Sequence, residues 1–404
     1  MSRPDGLLPF PFPHTDGLAP LPELADLRRN RPVVKVCLPN GSTAWLVTRN
    51  VDVRKVLADP RFSRTRAPRE QEAQRIPATG PRTAGRRATV LPDSILASDP
   101  PDHSRLRRLI SPALTVRRTE AMRQDIAALT HDLLAAMEPA ERPADLVTHF
   151  TRPLPLAVIC DLLGTPRVDA DRLDAWDEVM RSVTATNAEV SGAVEEMTDH
   201  LAGLVAAKRA HPGDDMLSVL IEARDGNDRL SEGELISFCV VLLAGGYGTT
   251  ADRLAGLVHL LLEQPDRYTL LRDEPDRIPN AVEELLRYAQ ASMGANIRVA
   301  TEDVALAGIT VAQGDAVLAL TSSANHDESV YPAPDLLDLT RAAPLHLAFG
   351  HGAHFCVGAQ LARVQLQEAL RALTRLRPAL RAAGPAQWKT GRTSRAPRAL
   401  PVTW

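Results

Sequence analysis

The stretch Phe349-Gly350-His351-Gly352-Ala353-His354-Phe355-Cys356-Val357-Gly358-Ala359-Gln360-Leu361-Ala362-Arg363 decides how this chain is read. It sets one cysteine, Cys356, in a loop with Gly350 and Gly352 before it and Gly358 after it. Beyond the loop, Leu361, Val364, Leu366 and Leu370 recur among polar residues at helical spacing, so an amphipathic helix begins just past the cysteine. A cysteine at a helix N-terminus meets the positive end of the macrodipole and free backbone N–H groups, and both favour thiolate over thiol. The glycines let the backbone turn sharply and approach a neighbour closely.

The rest of the composition narrows the chemistry. At 404 residues the chain can bury a large core, as one large domain or several small ones. A net charge of -3 gives no sign of a nucleic-acid partner. Cys37, Cys160, Cys239 and Cys356 are far apart and form no C-x-x-C pair. That fits a reducing cytosol and one functional thiolate better than a disulfide frame. The histidines and cysteines lack the spacing of a zinc site. The N-terminal stretch has no apolar run of signal or anchor length, so a cytoplasmic protein without membrane attachment is expected. A lone thiolate of this kind suits the axial position of a haem iron.

Taken in order, the chain opens with a proline-rich segment, residues 1–30, expected to wrap the surface. Val33 to Cys37 and Ala44 to Thr48 read as a hairpin about Pro39-Asn40-Gly41, and Asn50 as the cap of a helix through Ala58. Residues 61–95 are dense in Arg, Pro, Gly and Thr and read as a long functional or solvated loop. Asp99-Pro100-Pro101-Asp102 opens a helix on which His103 and Arg107 share a face. Together they can hold a pair of carboxylates, although a basic helix surface would explain them as well. Ser231 and Glu234 form a capping box for a long helix stopped by Pro265, on the order of 50 Å in length. Its middle reads Ala244-Gly245-Gly246-Tyr247-Gly248-Thr249-Thr250. Each interior glycine costs about 1 kcal/mol against alanine. A helix tolerates that where a flat group packs on it, where its ladder opens, or where another helix comes close. Residues 298–320 alternate like short strands, and the segment from Trp388 has hairpin character.

The spaced set Phe349, Gly350, Gly352, His354, Cys356 and Gly358, followed by Leu361-Ala362-Arg363, resembles the haem-binding signature of the cytochrome P-450 superfamily in its bacterial, actinomycete-type form. The resemblance covers essentially the whole chain. It implies a mainly α fold with a small β region, residues 1–404 forming a single domain. It implies haem b with Cys356 as proximal ligand, bedded among Phe349, Gly350, His354 and Gly358, and propionates held by His103, Arg107 and Arg298. It further implies O2 as oxidant and electrons from NAD(P)H through a ferredoxin reductase and a ferredoxin. Arg105, Arg108 and Arg363 are candidate contacts for an acidic ferredoxin. The family carries Ala-Gly-x-Asp/Glu-Thr in the long helix, where acid and threonine supply protons for dioxygen cleavage. Gly246 and Thr249 match, Thr250 follows, and Gly248 stands at the acid position. The resemblance assigns Gly245, Ser292, Met293, Ala295, Asn296 and Thr393 with Ser394 to the substrate pocket. Glu284, Arg287 and Arg341 fall to a buried structural network, with Leu337 in place of its usual aromatic. A lid is placed at Thr184 to Val194. No proline follows Tyr288, so the backbone beside the haem is expected to differ from many relatives.

The expected activity is therefore monooxygenation of a small-molecule natural product. Gly248 motivates a second reading, oxidative radical C–C or C–N coupling of aromatic substrates such as tryptophan-containing cyclodipeptides. A third is a haem-binding protein without turnover.

Overall fold

Helical and strand periodicities separate in this chain, and so do the layers they build. The computed structural model describes residues 6–12, 17–38, 41–66, 93–138, 143–166, 170–182, 185–224, 228–289, 296–342, 345–390 and 394–404. Thirteen helices matter for the site: α1 (Pro22–Asn30), α2 (Asn50–Ala58), α3 (Asp102–Ile110), α4 (Arg123–Ala136), α5 (Pro153–Leu163), α6 (Ala170–Arg181), α7 (Asn187–Ala210), α8 (Met216–Arg224), α9 (Glu232–Gly246), α10 (Gly248–Leu262), α11 (Pro265–Asp273), α12 (Ile278–Tyr288) and α13 (Ala359–Leu376). A six-stranded sheet is built from β1 (Leu8–Pro9), β2 (Val33–Cys37), β3 (Thr43–Val47), β4 (Phe62–Ser63), β5 (Asn296–Ala300) and β6 (Ala316–Ala319), in the order β1-β2-β3-β6-β5-β4.

The expected hairpin is the β2–β3 pair, with Val33 opposite Val47 and Cys37 opposite Thr43. Sheet residues such as Val47, Val317 and Ala319 form one apolar cluster with α2, and the helices share a larger one. α10 runs through the middle of the latter. Leu254, Leu257, Val258, Leu260 and Leu261 are all buried, so it is apolar nearly all round, as a central helix must be. The stretch Glu232–Leu262 is long and apolar enough to cross a membrane by length and composition, yet it is a core element of this fold. α13 starts just past the cysteine loop and packs on α4 and α12.

Two local expectations are corrected. Asn50 is the first helical residue of α2 rather than its cap; Arg49 precedes it without a side-chain capping bond. The Asn50 N–H donates to Asp327 Oδ2 at 2.7 Å and its side-chain amide donates to the Ala324 carbonyl at 3.1 Å, so tertiary contacts set the helix start. The long helix is two helices. Ser231 caps α9 through the expected box with Glu234, but the axis breaks at Tyr247, with φ -82° and ψ -79°. Most of the arginine-rich loop, part of the lid segment and the Pro39-Asn40 turn lie outside the described residues.

Candidate active site

The cysteine loop is shaped by its glycines. Gly350 and Gly352 have φ of +77° and +72°, a region that side chains disfavour. A Cβ on Gly352 would also stand 2.5 Å from the Leu57 carbonyl oxygen of α2. The Cys356 N–H donates to Phe349 O at 2.9 Å, closing the loop. Cys37, Cys160 and Cys239 are buried, whereas Cys356 is accessible and lies on a cavity wall. Burial pushes its thiol pKa up, against the Gly358 N–H, Arg107 and Arg363, which pull it down. A coordinated metal ion deprotonates such a thiol outright.

The cavity, about 700 Å³, lies between this loop and the break between α9 and α10. Gly245, Gly246, Thr249, Thr250 and Asn296 line it together with Cys356. Gly245 faces open space, and a Cβ on Gly246 would come within 3.2 Å of Ile159 Cδ1 on α5. The Thr249 hydroxyl donates to the Gly245 carbonyl. Ser394 reaches the cavity as expected of its segment. Ser292, Met293, Ala295 and Thr393 lie outside the described residues.

One end of the cavity gathers basic side chains. His103 and His354 stack with ring centroids 4.1 Å apart, and Arg107 donates to Phe355 O at 2.8 Å. Arg298 is buried and donates to Ile297 O at 2.9 Å; among the described residues it forms no ion pair. Burial, with repulsion from Arg64, lowers its pKa to about 9. Burial, with repulsion from His103, Arg298 and Arg64, holds His354 down to about 3. Asp99 is the carboxylate beside them, and with both histidines held toward the neutral form the charge that remains is that of Arg64, Arg107 and Arg298 against Asp99, an arginine excess that suits an anion. An accessible thiol below, a glycine-opened helix above and buried cations at the edge fit a flat dianionic metalloporphyrin. Arg64 was not singled out in the sequence reading; it sits in the arginine-dense stretch where charge count alone says little.

Arg287 makes a bidentate pair with Glu284 at 2.7 and 2.8 Å, both fully buried, and Arg341 adds 3.2 Å. Leu337 is buried near this network without its aromatic counterpart. Arg105, Arg108 and Arg363, the candidate ferredoxin contacts, all carry ion pairs within the chain. Arg105 pairs with Asp228 and Glu234, Arg108 with Asp228, and Arg363 bidentately with Glu283 at 2.8 Å. The sequence reading also missed a buried polar cluster. Arg181 of α6, Lys389 and Ser394 converge on Asp252 of α10. These residues are scattered along the chain, and no motif marks them.

Residues 176–375 match the family model for cytochrome P450. The chain is 44% identical over 401 residues to nocardicin C N-oxygenase of Nocardia uniformis subsp. tsuyamanensis, covering 98% of each. It belongs to the cytochrome P450 family. A mixed-function P450 solved with mycinamicin V superposes with a TM-score of 0.90 at 40% identity, covering 98% of this chain and all of that one. A cytochrome P450 with biaryl coupling reactivity superposes at 0.89 and 37% identity, covering 97% and 98%. The chain is accordingly a haem-dependent monooxygenase that uses O2, electrons from NAD(P)H delivered by redox partners, and a small-molecule substrate.

Proposed function

We propose that this P450 inserts one oxygen atom from O2 into a small-molecule natural product, by hydroxylation or a related monooxygenation. The observation that carries the site assignment is that Cys356 and Thr249 line one cavity, with Arg107 and His354 on its wall and buried Arg298 close to His354. In this reading Cys356 holds the iron of haem b, and His103, Arg107, Arg298 and His354 hold the propionates. The bound haem supplies oxygen activation. Thr249, hydrogen-bonded to Gly245 at the helix break, orders the proton supply above it. Asn296 and Ser394 offer hydrogen bonds to a polar substrate. Glu284, Arg287 and Arg341 hold α12 against the segment before the cysteine loop.

The whole chain acts as one domain in the cytoplasm, served by a ferredoxin and a ferredoxin reductase. Its relatives act on nocardicin C and mycinamicin IV, as their names state, which supports a natural-product substrate. Oxidative coupling stays a second reading, favoured by Gly248 and by the superposable coupling P450. Turnover under labelled dioxygen, with surrogate redox partners and a panel that includes tryptophan-containing cyclodipeptides, tests both. A product carrying one labelled oxygen establishes monooxygenation. An unlabelled dimer or cross-coupled product overturns it in favour of coupling.

A further inference from the structure

Monooxygenation converts RH, O2, two electrons and two protons into ROH and water. The redox partners bring the electrons; the protons must cross the protein wall behind Thr249. At that wall Gly248 has no side chain to offer, and the structure shows what takes its place. A Cβ on Gly248 would stand 2.3 Å from Asp177 Oδ2 and 2.7 Å from both Cγ and Oδ1. The carboxylate comes from α6, a helix remote in sequence, and occupies the volume where a residue 248 side chain would begin.

Asp177 is buried, with Arg181 Nε 3.5 Å from its Oδ2. Beside it lies a small, largely apolar void of about 10 Å³, bordered by Leu173, Asp177, Met180, Met197, Leu243, Ala244 and Tyr247 at the helix break. Arg181 also pairs with Asp252, which holds Lys389 at 2.7 Å and Ser394 at 3.0 Å. Arg181, Asp252 and Ser394 reach the wall of the large cavity, whereas Asp177 stands behind the break. Two buried carboxylates, Asp177 of α6 and Asp252 of α10, are therefore tied by one guanidinium.

We propose that Asp177 is the positioning residue for proton supply at this break, a carboxylate presented by α6 where α10 has glycine. Acting through Thr249, the next residue along α10 from Gly248, it takes up a proton from the solvent side and passes one inward, ending each cycle as the same carboxylate. The O–O bond breaks, one oxygen enters the product and the other leaves as water. This rests on the monooxygenase reading for its need of protons, but not on any choice of substrate.

Two measurements test it. The first is thermal unfolding of the haem-loaded wild type, Gly248→Ala, Asp177→Gly and the double variant Asp177→Gly/Gly248→Ala. Gly248→Ala lowers the midpoint when Asp177 is present and not when it is glycine. An equal loss in both backgrounds removes the contact on which the proposal stands. The second is oxygen reduction with NADPH and surrogate partners, with no organic substrate added. Peroxide release consumes one NADPH per O2; reduction to water consumes two and requires protonated O–O cleavage. Asp177→Asn cuts the water-forming flux about 100-fold, the lower range for loss of a general acid, and changes its solvent isotope effect. Asp177→Gly/Gly248→Asp, which returns the acid to α10, recovers that flux relative to Asp177→Gly. Wild-type partition and isotope effect in Asp177→Asn, no recovery in the exchanged variant, or a wild type that releases only peroxide each overturn the proposal. Failure to label any natural product would leave these results standing and would count only against the substrate reading.

Discussion

Replacing Arg298 by leucine should stabilise the haem-free protein and weaken haem binding at the same time. The guanidinium is buried at 3% exposure and forms no ion pair among the described residues. Burial leads in holding its pKa well below the ordinary guanidinium value, at about 9, which corresponds to a penalty of about 5 kcal/mol on the charged form. Leucine removes that penalty and loses the hydrogen bond to Ile297 O, which takes back about 1 kcal/mol. The haem-free protein therefore gains up to about 4 kcal/mol. In the loaded protein the change strands a propionate, which costs about 2–5 kcal/mol, or about 30- to 4,000-fold in affinity. Urea midpoints of the haem-free protein by circular dichroism read the first effect. The rate of haem transfer to apomyoglobin reads the second. Wild-type transfer from Arg298→Leu, or a haem-free variant less stable than wild type, would refute the assignment of this cluster to the propionates.

Thr249→Ala should raise peroxide released per NADPH, measured by peroxidase-coupled assay; unchanged release would place proton ordering elsewhere. Glu284→Ala leaves Arg287 as a buried unpaired charge and should cost about 3–5 kcal/mol, read as a lower urea midpoint, with a change below about 1 kcal/mol contradicting the network's role. His354 is held to about 3, led by burial, so as pH falls below about 6.5 the unfolded chain takes up a proton that the folded one refuses. The haem-free protein should lose stability across that window down to about 3. His354→Gln should flatten this part of the profile, and an unchanged slope would mean that another group titrates.

What was legible in the sequence is what short-range backbone chemistry dictates. Gly350 and Gly352 need left-handed φ, Cys356 needs a tight loop, and Glu284 and Arg287 meet because a helix brings residues three apart together. The glycines around Tyr247 signalled an unusual helix, but the choice between a continuous and a broken axis depends on α5 and α6, which pack there. Asn50 looked like a cap because its type is common at caps; Asp327, far along the chain, claims its N–H instead. The ion pairs of Arg105, Arg108 and Arg363 could not be read ahead, because their carboxylate partners on other segments carry no motif. Asp177 was invisible for the same reason: a carboxylate at one position of α6 acquires meaning only when tertiary packing sets it over Gly248.

Ligation through Cys356 is the central claim, and the carbon monoxide spectrum of the reduced protein tests it most directly. The wild type should show the strongly red-shifted Soret band of thiolate ligation, and Cys356→Ala should lack it while Cys37, Cys160 and Cys239 remain. A red-shifted band that survives in Cys356→Ala would contradict the site described here.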